Sequence, residues 1–336
     1  MSRSVFECID AHTCGNPVRL IAKGAPILQG NNMSEKRQFF LNHFDWIRKG
    51  LMFEPRGHDM MSGAILLQPH SSKNDFSILY IETSGCLPMC GHGTIGAVTI
   101  AIQEKLIIPK KPGFLNIETP AGIINITYKQ IDEKVNSVKL TNVDSFLAAK
   151  KCSIVSNDLG EIFFDVSYGG NYYAIIEPQN NFSGIQNYKA GEIIRYSQEI
   201  RKKINKKYPN KFIHPNDSSI RDVSHLLWTG DTLDSCSSSR NAVFYGDKAI
   251  DRSPCGTGTS ARMAQLYERG DLKIKEQFVH ESYIGSKFTG QVERESKVGE
   301  FNAIVPSVEG WAKVYGYNKI FIDDDDDPYA HGFQVI

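Results

Sequence analysis

The sequence has no excess of either charge, because 38 lysine and arginine residues balance 38 aspartate and glutamate residues. A chain without net charge lacks the field that draws proteins to nucleic acid or to an anionic membrane surface. It also lacks any apolar run near the roughly 20 residues that a membrane helix needs. The N-terminal stretch MSRSVFECIDAHTCGN has no apolar core of the length found in signal peptides. We therefore expect a cytoplasmic enzyme that acts on a small molecule, with neither nucleic acid nor membrane as a partner.

The sequence contains few cysteines, and their number is odd. The seven cysteines are scattered through 336 residues, at Cys8, Cys14, Cys86, Cys90, Cys152, Cys236 and Cys255. A disulfide framework normally has an even number of cysteines in a short secreted chain. The pattern instead predicts reduced thiols, some of which are available for chemistry.

Two of these cysteines begin similar glycine-rich segments, MCGHGTIG at residues 89–96 and PCGTGTSA at residues 254–261. In both, the pattern predicts a strand before the cysteine, a helix after it and then a hairpin. In the first copy these are the strand 76–83, the helix 93–107 and the hairpin 113–131. In the second copy they are the strand 241–247, the helix 258–272 and the hairpin 276–295. Gly122 follows Cys90 by 32 residues (122 − 90), and Gly285 follows Cys255 by 30 (285 − 255). This repetition predicts two similar domains whose equivalent loops face one another across a cleft.

The first segment also fits the Gly-x-Gly-x-x-Gly pattern of dinucleotide-binding turns. Such a turn follows its strand directly, and an acidic residue ends the next strand to hold the ribose. Lys110 and Lys111 occupy that region after the first copy, and Glu276 stands at the start of its strand in the second. The sequence therefore predicts no nucleotide cofactor, although a non-catalytic module that binds an amino acid or a nucleotide stays as the alternative outside the enzymes.

A metal site is the second alternative, because Cys86, Cys90 and His92 have tolerable ligand spacing. A structural zinc site normally needs a second close pair of cysteine or histidine ligands. His12 and Cys14 supply one only through folding that the sequence does not show. We therefore expect no bound metal and interpret Cys86 as a small buried hydrophobic residue.

Both glycine turns are well suited to a small anion. The helix starts that follow Cys90 and Cys255 combine N–H donors with the positive end of a helix dipole, which favours a carboxylate. The same setting is expected to lower a cysteine pKa from about 8.5. If the two domains face each other, one sulfur lies on each side of an alpha carbon. One thiolate then removes the proton and the opposite thiol returns one, which inverts the configuration without a cofactor.

The blocks HTCGNPVRL, IETSGCLPMCGHGTIGAVT, RNAVFYGDKAIDRSPCGTGTSARMAQL and IVPSVEGWAKVYGYNKIFIDD resemble the proline racemase family, and in particular its bacterial 4-hydroxyproline 2-epimerases. The resemblance covers essentially the whole chain. It implies an α/β (α+β), diaminopimelate-epimerase-like fold of two pseudo-symmetric domains, each a curved, mainly antiparallel sheet around a central helix, with the active site in the interdomain cleft and no cofactor.

The resemblance also implies the roles of individual residues. Cys90 is the expected proton acceptor and Cys255 the donor in one direction, with the roles exchanged in the other. Further residues match substrate-binding positions of the family: Gly91, His92, Asp251, Gly256 and Thr257. We expect Asp251 to bind the cationic ring nitrogen. His225 lies in the apolar segment VSHLLW, where a hydrogen-bonded core histidine is the commoner outcome, so it is assigned only a weak substrate role.

Two questions stay open on the sequence. Relatives that are trans-3-hydroxyproline dehydratases carry Ser or Thr in place of Cys90, so the intact thiol pair speaks against that activity. Proline racemase remains the runner-up activity, because only a hydroxyl group separates proline from 4-hydroxyproline.

We expect two domains. The first comprises residues 1–130, joined by 313–336, and the second comprises residues 131–312. A homodimer is an expectation from the family.

Overall fold

The computed structural model describes residues 3–335, which form mostly strands with a few helices. The elements up to the middle of the chain are β1 (Ser4–Thr13), β2 (Asn16–Lys23), α1 (Met33–His43), α2 (Asp45–Met52), β3 (Ser62–Leu67), β4 (Phe76–Glu82), β5 (Gly85–Leu87), α3 (Gly91–Gln103), β6 (Phe114–Thr119), β7 (Gly122–Ile131) and β8 (Lys134–Thr141).

The remaining elements are β9 (Ser145–Ser156), β10 (Gly160–Tyr168), β11 (Tyr172–Ile176), a 3-10 helix (Ile185–Asn187), α4 (Ala190–Lys207), β12 (Ile213–His214), β13 (Asp217–Arg221), β14 (Val223–Gly230), β15 (Ser239–Tyr245), β16 (Ala249–Ile250), α5 (Gly256–Arg269), β17 (Gln277–Glu281), β18 (Lys287–Val298), β19 (Phe301–Gly310) and β20 (Ala312–Ile322). The chain divides into two compact units, one of Met1–Leu140 with Gly310–Ile336 and one of Thr141–Glu309.

The first unit builds its sheet around helix α3. Strand β1 pairs antiparallel with both β2 and β20, β2 runs parallel to β3, and β3 pairs antiparallel with β4. Helix α3 packs against β1, β2, β3 and β20. Its residues from Gly91 to Ile102 are all buried, which its apolar sequence GHGTIGAVTIAI permits. A helix that is apolar on every side is expected at the centre of a fold.

The second unit repeats this arrangement around helix α5. Strands β9, β10 and β11 pair antiparallel in that order, β11 runs parallel to β14, and β14 pairs antiparallel with β15. Helix α5 packs against β9, β10, β11 and β18. Its first ten residues, Gly256 to Gln265, are buried, and its last four carry the polar end of the helix.

The elements predicted on either side of the two cysteines are confirmed. The first strand and hairpin are β4, β6 and β7, and the second set are β15, β17 and β18. Both helices begin earlier than the periodicity indicates, at the glycine directly after the cysteine. Helix α5 ends as expected, with Gly270 in the left-handed conformation at φ 84°. Among residues 3–335, no helix combines the length and the apolar character that crossing a membrane requires.

Gly169 sets how closely the chain after β10 approaches the start of α5. A Cβ atom at this position would lie 2.2 Å from the backbone oxygen of Thr257 and 2.5 Å from the backbone nitrogen of Ala261. Backbone atoms in a buried helix have little room to move, so overpacking here costs free energy of unfolding. The absence of a side chain at Gly169 is therefore a requirement of the fold.

We predict that Gly169→Ala lowers the free energy of unfolding by about 3 kcal/mol, the upper end of the usual cost of overpacking. The control is Gly191→Ala in α4, where an added Cβ meets nothing within 4 Å. That change is expected to be neutral or stabilising by up to about 1 kcal/mol, because alanine favours the helix. Urea unfolding of both variants measures the difference, and equal stabilities would contradict the prediction.

Candidate active site

Cys90 and Cys255 occupy the same position relative to a buried helix in their respective units. Each is the residue that caps the N-terminus, Cys90 for α3 and Cys255 for α5. The first helical hydrogen bond is donated in each case by the threonine four residues later, from Thr94 N to Cys90 O at 2.9 Å and from Thr259 N to Cys255 O at 2.7 Å. The backbone donors at such a start precede the helical ladder and are suited to an anion.

The second glycine of each segment leaves room for the sulfur atom. A Cβ atom on Gly93 would lie 2.9 Å from Cys90 Sγ, and a Cβ atom on Gly258 would lie 3.1 Å from Cys255 Sγ. In the first unit, the Gly93 N–H also donates to Cys90 Sγ at 3.3 Å. The glycine three residues after each cysteine is thus explained by the thiol itself, without a phosphate ligand.

The backbone of the two cysteines differs. Cys90 is extended, with φ −141° and ψ 109°, whereas Cys255 has φ 63° and ψ 102°. A positive φ is uncommon for a residue with a side chain and costs about 1–3 kcal/mol when the surroundings impose it. Cys255 N donates to Ser253 Oγ at 3.1 Å, one of the contacts that hold this conformation.

A buried group of hydrogen-bonding side chains supports the loop in front of Cys255. Asn241 Nδ2 donates to the carbonyl oxygen of Pro254 at 2.8 Å, and it also contacts the ring of His280. The hydroxyl of Thr259 contacts the same ring at 2.9 Å. Burial lowers the pKa of His280 to about 3, so the ring is neutral and acts as a hydrogen-bonding spacer. These contacts fix the peptide that precedes the thiol.

Cys90 contacts a carboxylate and an imidazole. Its Sγ donates to Glu82 Oε1 at 3.0 Å and lies 3.5 Å from His92 Nδ1. Ser84 Oγ donates to the other carboxylate oxygen of Glu82 at 3.1 Å. Glu82 is 1% exposed, so its oxygens depend on protein donors. The Cys90 thiol therefore has a buried carboxyl oxygen as its hydrogen-bond acceptor.

His92 is held on its far side as well. Its Nε2 lies 3.0 Å from Asn16 Nδ2, and its carbonyl oxygen accepts from Thr13 Oγ1 at 2.8 Å. Burial lowers the pKa of His92, and the charge of Glu82 opposes that shift only in part. The imidazole is therefore neutral at pH 7 and can either donate or accept a hydrogen bond.

Cys255 contacts hydroxyl groups and a carboxyl group. Tyr173 Oη lies 3.3 Å from Cys255 Sγ and 2.6 Å from Thr257 Oγ1. The Cys255 side chain also hydrogen bonds to the carboxyl of Asp251. The residues predicted for this half of the site, Asp251, Gly256 and Thr257, are thus gathered around the second thiol.

Asp251 is buried, and the positive charge of the neighbouring Arg252 acts on its carboxyl group. Its Oδ1 accepts from Ser253 N at 2.8 Å. Burial raises the pKa of its carboxyl from 3.8 to about 7, against the lowering effect of the hydrogen bonds from Ser253 and Cys255. A buried acid that titrates near neutrality is suited to a cationic ligand, which would favour the charged form.

The expectation that a helix start lowers the cysteine pKa is wrong for Cys255. Burial raises the pKa of this thiol, and the nearby Asp251 raises it further. Hydrogen bonds from Tyr173 and Thr257 act in the opposite direction without overcoming desolvation. Cys255 is therefore a thiol at neutral pH, the form that can give up a proton.

His225 lies beside Tyr173, which contacts the second thiol. It is on β14, opposite Tyr173 of β11 in the strand register, and the two rings are 4.8 Å apart between centroids. Its Nδ1 lies 2.7 Å from Ser224 Oγ. Both the core interpretation and the weak substrate role predicted for His225 are compatible with this position.

Sequence reasoning missed two residues that contact the thiols, Glu82 and Tyr173, and it missed Asn16, which contacts His92. The hairpin of β4 and β5 places Glu82 beside Cys90. This contact depends on how the two strands pair, which the spacing of residues in the sequence does not reveal. Cys86, named above as a candidate metal ligand, instead packs in the hydrophobic core of the first unit. The group of ligand atoms around Cys90 comprises Glu82 and His92.

The pKa of Asp251 yields a prediction for stability. The unfolded carboxyl ionises near 3.8 and the folded one near 7. Its contribution is therefore fully present below pH 3.8 and is lost as the pH rises to about 7. The asparagine of Asp251→Asn cannot ionise, so the stability of this variant lacks this pH dependence. As the pH rises from about 4 to above 7, the free energy of unfolding of the parent should fall by up to about 4 kcal/mol relative to that of the variant. Urea unfolding at several pH values tests this, and parallel pH profiles would contradict it.

Comparisons with known proteins agree with this geometry. The sequence profile of the family described as proline racemase matches residues 8–334. A 4-hydroxyproline 2-epimerase of Spirosoma linguale is 59% identical over 337 residues, and one of Shewanella loihica is 57% identical over 336, each covering 100% of both chains. A hydroxyproline epimerase from Agrobacterium vitis, crystallised with bound trans-4-hydroxy-L-proline, has a TM-score of 0.89 at 25% identity, covering 99% of this chain and 96% of that one. This likeness confirms the predicted fold class, and the chain belongs to the proline racemase family.

Proposed function

We propose that this protein epimerises 4-hydroxyproline at the alpha carbon, interconverting trans-4-hydroxy-L-proline and cis-4-hydroxy-D-proline without a cofactor. The observation that carries the proposal is the matched placement of Cys90 and Cys255, each directly before a buried helix start and each hydrogen bonded to a buried carboxyl group. Relatives that are 57–59% identical over their whole length carry the name 4-hydroxyproline 2-epimerase, which supports the choice of substrate.

The reaction requires stabilisation of a carbanion that has no electron sink of its own. Negative charge develops on the substrate carboxylate as the alpha proton leaves, and preorganised donors in a dry site stabilise it. In the proposal, the backbone at the helix starts supplies these donors, with Gly91, His92, Gly256 and Thr257 as the carboxylate-binding residues. Asp251 binds the cationic ring nitrogen, which offsets the cost of burying its charge.

The surroundings of the two thiols suit opposite roles in the L to D direction. Cys90 must act as a thiolate, and Glu82 Oε1 at 3.0 Å can accept the thiol proton. Cys255 must hold a proton, and its raised pKa keeps it protonated. Cys90 removes the alpha proton from one face and Cys255 donates its own proton to the other. The reverse direction exchanges the roles.

The proposal requires both sulfur atoms to reach one alpha carbon from opposite faces. It keeps the two-domain interpretation, with residues 1–130 and 313–336 in one domain and 131–312 in the other. It also assigns the protein to the cytoplasm, where reducing conditions keep both thiols in the active form. A homodimer stays an expectation from the family, and His225 keeps its weak substrate role.

We predict that the parent protein inverts trans-4-hydroxy-L-proline, and that Cys90→Ser and Cys255→Ser each reduce this activity by at least about 1,000-fold, the scale of losing an acid or base group. The matched control is Cys236→Ser, which replaces an exposed thiol and should keep parental activity. Polarimetry with trans-4-hydroxy-L-proline and, separately, L-proline measures both mechanism and preference. Faster turnover of L-proline would favour proline racemase, and parental activity in either active-site variant would refute the two-thiol mechanism.

A second prediction concerns the source of the new proton. In deuterium oxide the thiols carry deuterium, so the epimerised product should contain deuterium at the alpha carbon. Proton NMR of the product after partial conversion shows this as loss of the alpha-proton signal. An epimer formed with its alpha proton retained would show that the proton never passes through a solvent-exchanged thiol.

A further inference from the structure

We propose that Glu82, Cys90 and His92 form a binding site for a thiophilic divalent cation, Zn²⁺ above all, which reversibly blocks Cys90. The three side chains offer a carboxylate oxygen, a sulfur and an imidazole nitrogen, all within 4.8 Å of one another. Among residues 3–335, this is the one group of three or more such side chains with this spacing. The inhibitory effect rests on the proposed function, whereas the binding itself does not.

The distances suit a tetrahedral ion. Cys90 Sγ lies 3.0 Å from Glu82 Oε1 and 3.5 Å from His92 Nδ1. With a Zn–S bond of about 2.3 Å and Zn–N and Zn–O bonds of about 2.0–2.2 Å, neighbouring ligand atoms of a tetrahedral site lie about 3.3–3.6 Å apart. The two distances from the sulfur already lie within about half an ångström of that spacing, and the third, between Glu82 and His92, is at most 4.8 Å.

The donor set also balances the charge. A Cys90 thiolate and a Glu82 carboxylate together neutralise a divalent cation, while neutral His92 adds a third ligand. All three residues are buried, and a neutral complex is the form that a buried site tolerates. Three protein ligands leave a fourth position for water or another small ligand, as in zinc sites that are not purely structural.

Hydrogen bonds to the outer atoms orient two of the ligands. Ser84 Oγ donates to Glu82 Oε2 at 3.1 Å, which leaves Oε1 facing the sulfur. The Asn16 side chain contacts His92 Nε2 at 3.0 Å, which leaves Nδ1 facing the sulfur. An imidazole that binds metal through Nδ1 carries its proton on Nε2, and the Asn16 amide oxygen can accept a hydrogen bond from this N–H after rotation of the amide group. Such outer contacts are typical of metal sites.

The second thiol lacks this ligand set. Thr257 occupies the position after Cys255 that His92 occupies after Cys90, and the closest side-chain partners of Cys255 include the hydroxyls of Tyr173 and Thr257. Hydroxyl groups are poor ligands for zinc compared with thiolate and imidazole. The cation is therefore expected to distinguish between the two thiols and to bind in the first unit.

Metal binding and catalysis compete for the same sulfur. The cation displaces the thiol proton and occupies the lone pair that would accept the alpha proton of the substrate. The Glu82 oxygen that would take the thiol proton is occupied as well. Zinc should thus inhibit the enzyme reversibly, and a chelator should restore full activity.

Binding can be measured without turnover by titrating Cd²⁺ and following the ultraviolet absorption of cadmium bound to thiolate. All proteins carry Cys236→Ser, so that the exposed thiol gives no signal. We expect one cadmium per chain in this parent and unchanged binding in Cys255→Ser. Cys90→Ser should lose the band, and Glu82→Gln should weaken binding at least tenfold. Cys86→Ser is the matched control, since it removes a buried thiol four residues earlier that lies outside the group.

Ser84→Ala keeps the inference testable if Glu82→Gln fails to fold. It removes no ligand, only the hydrogen bond that orients the carboxylate, and such changes weaken metal binding by about 10–100-fold. Far-ultraviolet circular dichroism of each variant confirms that the fold is retained. Parental affinity in a folded Glu82→Gln, or in Ser84→Ala where Glu82→Gln does not fold, would overturn the site.

Zinc inhibition of epimerisation, reversed by a chelator, completes the test. Stoichiometric cadmium binding in a protein that inverts no hydroxyproline would refute the proposed function and leave the metal site standing. An active epimerase with no thiolate–cadmium band, or with a band that survives Cys90→Ser, would refute the metal site and leave the function standing.

Discussion

The structure depends on placing a sulfur atom at the buried start of a central helix in each unit. A thiol at this position needs a neighbour three residues later that has no side chain, which Gly93 and Gly258 provide. The thiol also needs hydrogen-bonding partners, because burying a polar group without one costs free energy. Glu82 supplies one for Cys90, while Asp251 and Tyr173 supply them for Cys255. The two glycines and the buried carboxyl groups serve this one constraint.

The two halves share a plan but differ chemically. A carboxylate and a neutral imidazole flank Cys90, whereas two hydroxyls and a carboxyl group that titrates near pH 7 flank Cys255. The second setting favours retention of the thiol proton, because burial and Asp251 both raise the pKa of Cys255. Within residues 3–335, the first thiol alone belongs to a group of three potential ligand side chains within 4.8 Å of one another. The two units thus place a cysteine at equivalent helix starts and surround it with different side chains.

Local patterns in the sequence predicted much of this arrangement. The repeated cysteine and glycine spacing predicted both helices, the strands before them and the hairpins after them, because these features depend on near neighbours in the chain. Glu82 and Tyr173 were missed, since their distance from a thiol follows from strand pairing rather than from spacing. The pKa of Cys255 was predicted in the wrong direction, because the helix start was recognised and the depth of burial was not.

The central claim is that Cys90 and Cys255 act on opposite faces of one alpha carbon. A crystal structure of the protein with trans-4-hydroxy-L-proline tests it most directly. The account predicts both Sγ atoms at about 3–3.5 Å from the alpha carbon, the separation of reacting atoms in a bound complex, with the ring between them. A ligand approached by only one sulfur, or by both from the same face, would contradict it.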